Sequence, residues 1–280
     1  MEYTILNNGV KMPMLGYGVF QIGNDEAERC VLDAISVGYR AIDTAQSYGN
    51  EEGVGRAIEK CGLPREELFV TTKIWISNCG EEKTHASIED SLKKLHTEYI
   101  DLLLIHQPFN DYYGAYRAME KAYKEGIVRA IGVSNFYPDR LIDLCKFVEI
   151  PPMVNQVETH VFQQQQEAHA IMERLGVQHE SWGPFAEGRG DFFTNPVLNL
   201  IGAKYHKSAA QVALRYLLQN NVVVIPKSTH KERMAENLDV FDFKLGAEDM
   251  AAIKKLDTRE SLFFSHYDPA TVERLINLVR

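Results

Sequence analysis

Between residues 15 and 238, short apolar runs alternate with stretches whose apolar positions recur at helical spacing, and the alternation repeats eight times. Each repeat predicts a strand followed by a helix. The pairs fall at residues 15–20 and 25–38, 39–45 and 51–61, 68–75 and 81–95, and 99–107 and 113–128. They continue at 130–133 and 138–148, 153–158 and 164–175, 177–182 and 208–218, and 222–225 and 231–238. In the first helix Ala27, Cys30, Val31, Ala34 and Ile35 share one face, with Asp25 and Glu28 spaced as a cap pair. In the seventh, Ala210, Ala213, Leu214, Leu217 and Leu218 do the same. The runs LLLI and VVVI lack polar alternation, which marks strands covered on both faces. Eight such pairs predict an α/β fold, a closed parallel (β/α)8 TIM barrel rather than an open sheet. Ahead of it, residues 3–14 alternate and turn at Asn7-Asn8-Gly9, predicting an N-terminal β-hairpin. Behind it, residues 246–256 read as an extra C-terminal helix, followed by a tail. No linker divides the chain, so a single domain over residues 1–280 is expected.

Composition narrows the partners. The 280 residues are 45% hydrophobic, ample for a core. With 30 basic against 39 acidic residues the net charge is −9, which offers no footprint for nucleic acid or an anionic membrane. The amino-terminal MEYTILNNGV has neither the charged nor the apolar segment of a signal peptide, and a cytoplasmic protein is expected. The four cysteines form no CxxC and the nine histidines no HExxH, so reduced thiols and no metal are expected.

In a parallel barrel every strand end points at one mouth. The polar residues there are Asp43 with Tyr48 beyond it, Lys73, His106, Ser134 with Asn135, and Asn155, Gln156 and Glu158. Singly, each has a structural reading: a turn cap for Asp43, a surface aromatic for Tyr48, a barrel-closing ion pair for Lys73, a core histidine for His106. An ammonium on an apolar strand needs a partner, and Asp43 on the neighbouring strand is in reach. A cation beside a phenol stabilises the phenolate and lowers its pKa, which would make Tyr48 a usable proton donor. A second group follows the eighth strand: Lys227, Ser228, Thr229, His230 and Arg233. Thr229 and Glu232 have capping-box spacing, predicting a helix start whose free N–H groups would face an anion. Two cations beside it suit a phosphate monoester, though a solvated basic helix start accounts for the same residues.

Asp43, Tyr48, Lys73 and His106, in that order and at those strand ends, resemble the catalytic tetrad of the aldo-keto reductases. The resemblance extends through DTAQSYGNEEGVG, LLIHQP, IGVSNF, NQVETH and IPKSTHKERMAENL, most of the chain. Compact connections such as QPFNDYYG are similar to the short-loop bacterial members, including those described as 2,5-diketogluconate or methylglyoxal reductases. The resemblance implies an NADPH-dependent reductase of aldehydes or ketones that binds its cofactor without a Rossmann motif, and no GxGxxG occurs here. It implies Tyr48 as the acid that protonates the carbonyl oxygen, Lys73 as the group that lowers its pKa, and Asp43 as the holder of Lys73. His106 would hydrogen-bond the same oxygen and orient the substrate. Ser134, Asn135 and Gln156 would hold the nicotinamide carboxamide, and Trp182 would stack on the ring. Lys227, Ser228, Thr229 and Arg233 would hold the 2′-phosphate, and Glu236 and Asn237 the adenine. A monomer is implied as well. Phe20, Trp75 and Phe109 either wall an apolar substrate pocket with His106 or are plain core.

Three positions depart from the family pattern without touching the tetrad: Val161 in place of a frequent Pro, His179 in place of an apolar strand residue, and Gly183 in place of a frequent Ser. His179 is either a buried neutral imidazole or a defect in its strand. The loop 186–195 and the tail 261–280 are expected to cover the pocket. Two other function classes compete. An NADPH-binding sensing module would not need Lys73 behind Tyr48, and a hydrolase using Ser134 lacks the second Gly of GxSxG.

Overall fold

A computed structural model describes residues 1–278; the end of the expected tail, residues 279–280, lies outside the described residues. The chain opens on an antiparallel hairpin, β1 (Tyr3–Ile5) and β2 (Lys11–Pro13). It turns at Gly9, whose φ of +87° suits a residue without Cβ. The Asn7 amide donates to the carbonyls of Pro152 and Gly176, and the Asn8 amide to that of Arg129. These carbonyls lie just before barrel strands, so the hairpin plugs the amino-terminal end.

The repeats then follow: β3 (Tyr17–Gly18), α1 (Asn24–Val37), β4 (Ala41–Asp43), α2 (Glu51–Lys60), β5 (Phe69–Ile74), α3 (Glu81–Lys94), β6 (Leu102–Ile105) and α4 (Tyr112–Lys124). The second half comprises β7 (Ile131–Ser134), α5 (Pro138–Phe147), β8 (Val154–Glu158), α6 (Gln166–Leu175), β9 (Gln178–Trp182), α7 (Pro196–Tyr205), α8 (Ala209–Gln219), β10 (Val223–Val224) and α9 (Lys231–Leu238). α10 (Ala247–Lys254) and α11 (Pro269–Asn277) complete the chain. Strands β3 to β10 pair in parallel in chain order. The two edges meet through a parallel bridge from Leu15 to Val224 and the bonds Gly16 N–H to Val224 O and Gly18 N–H to Pro226 O, which close the barrel. A Cβ on Gly18 would stand 2.9 Å from the Ile225 carbonyl, so the seam needs glycine there.

The helices bury the faces their spacing predicts. α1 buries Ala27, Cys30, Val31, Ala34 and Ile35 and ends at Gly38 in the left-handed region. Burial of each larger side chain of this kind contributes about 1.5–3 kcal/mol. α8 opens with a capping box between Ser208 and Gln211 and is buried on nearly every side. Among the described residues no helix is long and apolar enough to cross a membrane.

Three local expectations need correction. Asp25 and Glu28 do not cap α1, which starts after Gly23 without a side-chain cap; Glu28 instead binds Arg56 and Lys60 of α2 at 2.8 and 2.6 Å. The first and last barrel strands are shorter than expected, two residues each, and the seam between them is an isolated bridge and not a continuous ladder. Two helices, α7 and α11, stand where only a loop and a tail were expected. Each is announced by a capping side chain followed by proline, Asn195-Pro196 and Asp268-Pro269, with Asn195 accepting from Val197 and Leu198 and Asp268 from Thr271.

Candidate active site

The carboxyl ends of β4, β5 and β6 bring four side chains together. Lys73, inside β5, is fully buried, and its ammonium donates to Asp43 Oδ1 at 2.5 Å, to the Thr44 carbonyl at 2.9 Å and to Tyr48 Oη at 3.4 Å. All three of its donors are therefore used. Because Tyr48 Oη accepts from Lys73, its own proton is free to point elsewhere. His106 follows β6 and sits edge-on to the Tyr48 ring, centroids 5.6 Å apart, with Ser47 Oγ 3.3 Å from its Nδ1.

The electrostatics assign protonation states. Burial, reinforced by the Lys73 charge, pushes the His106 imidazole well below its ordinary range, so it is neutral. The expected lowering of the Tyr48 pKa is not found in the free protein. Burial raises it, and the opposing pull of Lys73 only limits the rise. Tyr48 is thus a phenol, poised to donate.

The turn carrying Tyr48 is clamped by residues that sequence reasoning passed over. Asn50 accepts from Thr44 Oγ1 at 2.7 Å and donates to the carbonyls of Val19 and Ile22, both at 2.9 Å. Gln46 Oε1 accepts from the Trp75 N–H at 3.0 Å and from Asn78 at 2.9 Å. Both lie inside the DTAQSYGN stretch, and their signal is a polar side chain with no strand or helix face to occupy. Behind β5, Thr72 Oγ1 donates to buried Glu51 of α2 at 2.7 Å.

On the far side of the mouth Ser134, Gln156 and Glu180 stand in register across β7, β8 and β9. Gln156 Nε2 donates to Asp43 Oδ2 at 2.9 Å and to Glu180 Oε2 at 3.0 Å. β8 and β4 are not neighbours in the sheet, so the first of these bonds crosses the barrel interior. Glu180 was also missed; an acid on a buried strand is the signal that exposed Lys73, here masked by the polar neighbours in QHESW. Asn135 adopts φ +63°, donating to the His106 carbonyl at 3.0 Å and accepting from Trp182 Nε1 at 2.9 Å. Asn155 donates to the Phe136 carbonyl and takes no part in this cluster.

Tail residues form the rest of the wall. Glu158 accepts from Ser261 Oγ at 2.5 Å and from the Leu262 N–H at 3.0 Å, pinning the start of the tail. Trp182 stacks on Phe264, with ring centroids 6.0 Å apart, and meets Phe263 edge-on. Trp75 lies edge-on to His106 at 5.2 Å and donates through its indole N–H to the Leu278 carbonyl at 2.8 Å. Trp75 and Phe109 bury against Leu275 of α11, whereas Phe20 is 49% exposed and tilts against Tyr48 at 5.0 Å. Phe20 is a rim residue and not core. The loop 186–195 joins this wall through Arg189, which donates to the Leu262 carbonyl and lies over the Phe263 ring.

The second cluster surrounds the start of α9. His230, not Thr229, occupies the N-cap position, and no side chain caps the helix, so the Thr229–Glu232 capping box is absent. Ser228 Oγ accepts from the His230 N–H at 3.1 Å, and the Ser228 carbonyl is held by Tyr17 Oη at 2.5 Å. Lys227 and Arg233 are exposed, and among the described residues neither has a carboxylate partner. Glu236 accepts from Ser208 Oγ at 2.5 Å, and Asn237 is buried. His179 lies away from both clusters. It is a buried neutral imidazole: Nε2 is 2.8 Å from Thr159 Oγ1, Nδ1 is 3.0 Å from His169 Nδ1, and burial lowers its pKa to about 3.

Residues 14–258 match the model of the aldo/keto reductase family, and both clusters fall inside that span apart from the tail. The chain belongs to the aldo/keto reductase family. Among family members it is 49% identical over 257 residues to the glyoxal reductase of Bacillus subtilis, covering 91% of this chain and 92% of that one. The crystal structure of an aldo-keto reductase from a Medee basin deep-sea metagenome library superimposes with a TM-score of 0.93 at 44% identity, covering 95% of this chain and 98% of the other. An aldo-keto reductase of Bombyx mori, solved in complex with NADP, superimposes with a TM-score of 0.87 at 35% identity over 92% and 94% of the two chains. Aldo/keto reductases of this kind are NADP-dependent reductases of carbonyl compounds, and this chain is one of them.

Proposed function

We propose that the chain reduces small aldehydes of the glyoxal class at the mouth of its barrel, with Tyr48 as the proton donor. The observation that carries this is the Lys73 ammonium. With all three donors committed to Asp43, Thr44 and Tyr48, it fixes the Tyr48 oxygen as an acceptor on one side and leaves its proton for a substrate. Neutral His106 beside it supplies a second hydrogen bond to the carbonyl oxygen of the substrate. Negative charge develops on that oxygen as the carbonyl is reduced, so a donor pair and a nearby cation favour the transition state over the ground state.

The residues present suit NADPH. Ser134 and Gln156 stand in register on neighbouring strands with Asn135 hydrogen-bonded to Ser134, a cluster of hydroxyl and amide groups whose polarity suits a carboxamide. Lys227 and Arg233 flank a helix start with uncapped N–H groups, fit for a phosphate monoester. Bound there, the cofactor would supply the hydride for the reduction. Tyr48 gives its proton to the carbonyl oxygen, and the product is the alcohol. Phe20, Trp75 and the α11 residues narrow the approach, which favours compact substrates. The chain is proposed to act as a single-domain, cytoplasmic monomer.

Loss of NADPH absorbance with glyoxal, larger aldehydes and keto-sugars tests this, with NADH in parallel. Tyr48→Phe should abolish carbonyl-dependent oxidation while NADPH still binds. Unchanged turnover in that variant would refute Tyr48 as the acid, and tight NADPH binding without turnover in the natural protein would favour a sensing module.

A further inference from the structure

Glu180 takes no part in the chemistry proposed for Tyr48, although it is 1% exposed and stands inside the barrel. Its Oε2 and Asp43 Oδ2 accept from one and the same amide nitrogen of Gln156, at 3.0 and 2.9 Å. The charged groups facing it are few. Asp43 comes from β4 and Lys73 from β5, β8 contributes only the Gln156 amide, and β10 with the segment after it contributes Val223 and Ile225. A cavity of about 10 Å³, the size of one water, is lined by Asp43, Thr71 and Glu180.

We propose that Glu180 is a positioning residue of the Asp43–Lys73–Tyr48 chain, orienting Asp43 through the shared Gln156 amide and holding the Tyr48 proton in place in alkaline solution. The inference rests on the reducing role proposed for Tyr48. Two acceptors on one NH2 group fix the orientation of the Gln156 amide and hold the Asp43 carboxylate with one oxygen toward Gln156 and the other toward Lys73. The second effect is electrostatic. Burial and the Asp43 charge raise the Glu180 pKa to about 8, so it is neutral at pH 6–7 and gains a negative charge above about 8. That charge raises both the Lys73 and the Tyr48 pKa. Reduction needs Tyr48 with its proton and the reverse oxidation needs the phenolate. Ionised Glu180 therefore keeps the proton donor in place at the pH where it would otherwise be lost.

The test compares kcat/KM against pH, from 6 to 10, for glyoxal reduction with NADPH. Glu180→Gln keeps an oxygen for the Gln156 amide and removes the charge. Its alkaline limb for reduction should move down by roughly one pH unit, the scale of a neighbouring charge. At pH 9 it should reduce several-fold more slowly than the natural protein, the two profiles converging toward pH 6. Glu180→Thr, neutral and smaller, should shift the limb in the same direction. Superimposable profiles, or loss of folding in both variants, would overturn the proposal and leave Glu180 a core residue. Tyr48→Phe separates the role of Glu180 from that of Tyr48. An inactive Tyr48→Phe beside an unshifted Glu180→Gln overturns this inference alone, whereas an active Tyr48→Phe overturns the reading of the site and this inference with it.

Discussion

Replacing Lys73 by Met removes a cation that no water reaches. Its ammonium makes three hydrogen bonds, one to a carboxylate that is itself 3% exposed. After the substitution Asp43 keeps only the Gln156 amide, and the Thr44 carbonyl loses its donor. Leaving one member of a buried pair uncompensated costs about 3–5 kcal/mol, a large share of the roughly 5–15 kcal/mol that holds a typical protein folded. Lys73→Met should therefore fold but unfold at a much lower urea concentration. Adding Asp43→Asn removes the stranded charge while keeping an acceptor and a similar shape, and should return about 2–4 kcal/mol of the loss. Activity should not return, because Tyr48 remains without its cation; a fall of about 10²- to 10³-fold in kcat is expected in both variants. Urea midpoints and kcat for glyoxal reduction, measured on the two single variants and the double, complete the cycle. A double variant no more stable than Lys73→Met would refute the pairing. Recovery of turnover in the double variant would refute the claim that Lys73 acts on Tyr48.

Three further outcomes follow from the geometry. Arg233→Ala should raise the KM for NADPH roughly ten- to hundredfold, the scale of a charge-assisted bond, and leave that for NADH nearly unchanged; equal weakening of both would show that Arg233 does not contact the extra phosphate. Asn50→Ala strips three buried hydrogen bonds from the turn that carries Tyr48 and should lower stability by about 3 kcal/mol together with kcat, read from the urea midpoint and initial rates. His179 and His266 have folded pKa values lowered by burial to about 3 and about 4, below the unfolded value near 6.5, so the unfolded chain binds more protons in acid. Their contribution is complete above pH 6.5 and falls as the pH drops toward 4, by up to about 2.7 kcal/mol per pH unit for the two; a urea midpoint at pH 5 equal to that at pH 7 would contradict it.

Much of the site was legible because a buried charge is costly and so stands out. Lys73 and Asp43 on apolar strands could only be understood together, and His106 and Tyr48 gained meaning from them. The helix faces were equally readable, since α1 buries the five residues its spacing selects. What escaped notice lacked contrast. Glu180 sits between His179 and Ser181, and in a run already polar an acid carries no surprise. Asn50 and Gln46 act through hydrogen bonds to backbone and loop groups far along the chain, which no periodicity encodes. The loop after β9 is set by backbone instead of pattern: Ala186, Glu187, Gly188, Gly190 and Asp191 all have positive φ. The direction of the Tyr48 shift was misjudged for a related reason. A cation in reach can be inferred from spacing, but the burial that outweighs it depends on the folded surroundings.

The bond from Gln156 to Asp43 ties these points together. It joins β8 to β4 through the interior, where a barrel ordinarily packs bulky branched side chains. Asp43, Lys73, Gln156 and Glu180 fill that space with polar groups held by one another, and buried pairs of this kind contribute little net stability compared with an apolar filling. Stability therefore does not account for the layer; the proton-donor role proposed for Tyr48 does. The same crossing bond means that the closure of the barrel fixes the position of Asp43, hence of Lys73, and hence of the Tyr48 proton. A small change in the β8–β9 register would be felt at the reacting oxygen without any residue of the tetrad being altered.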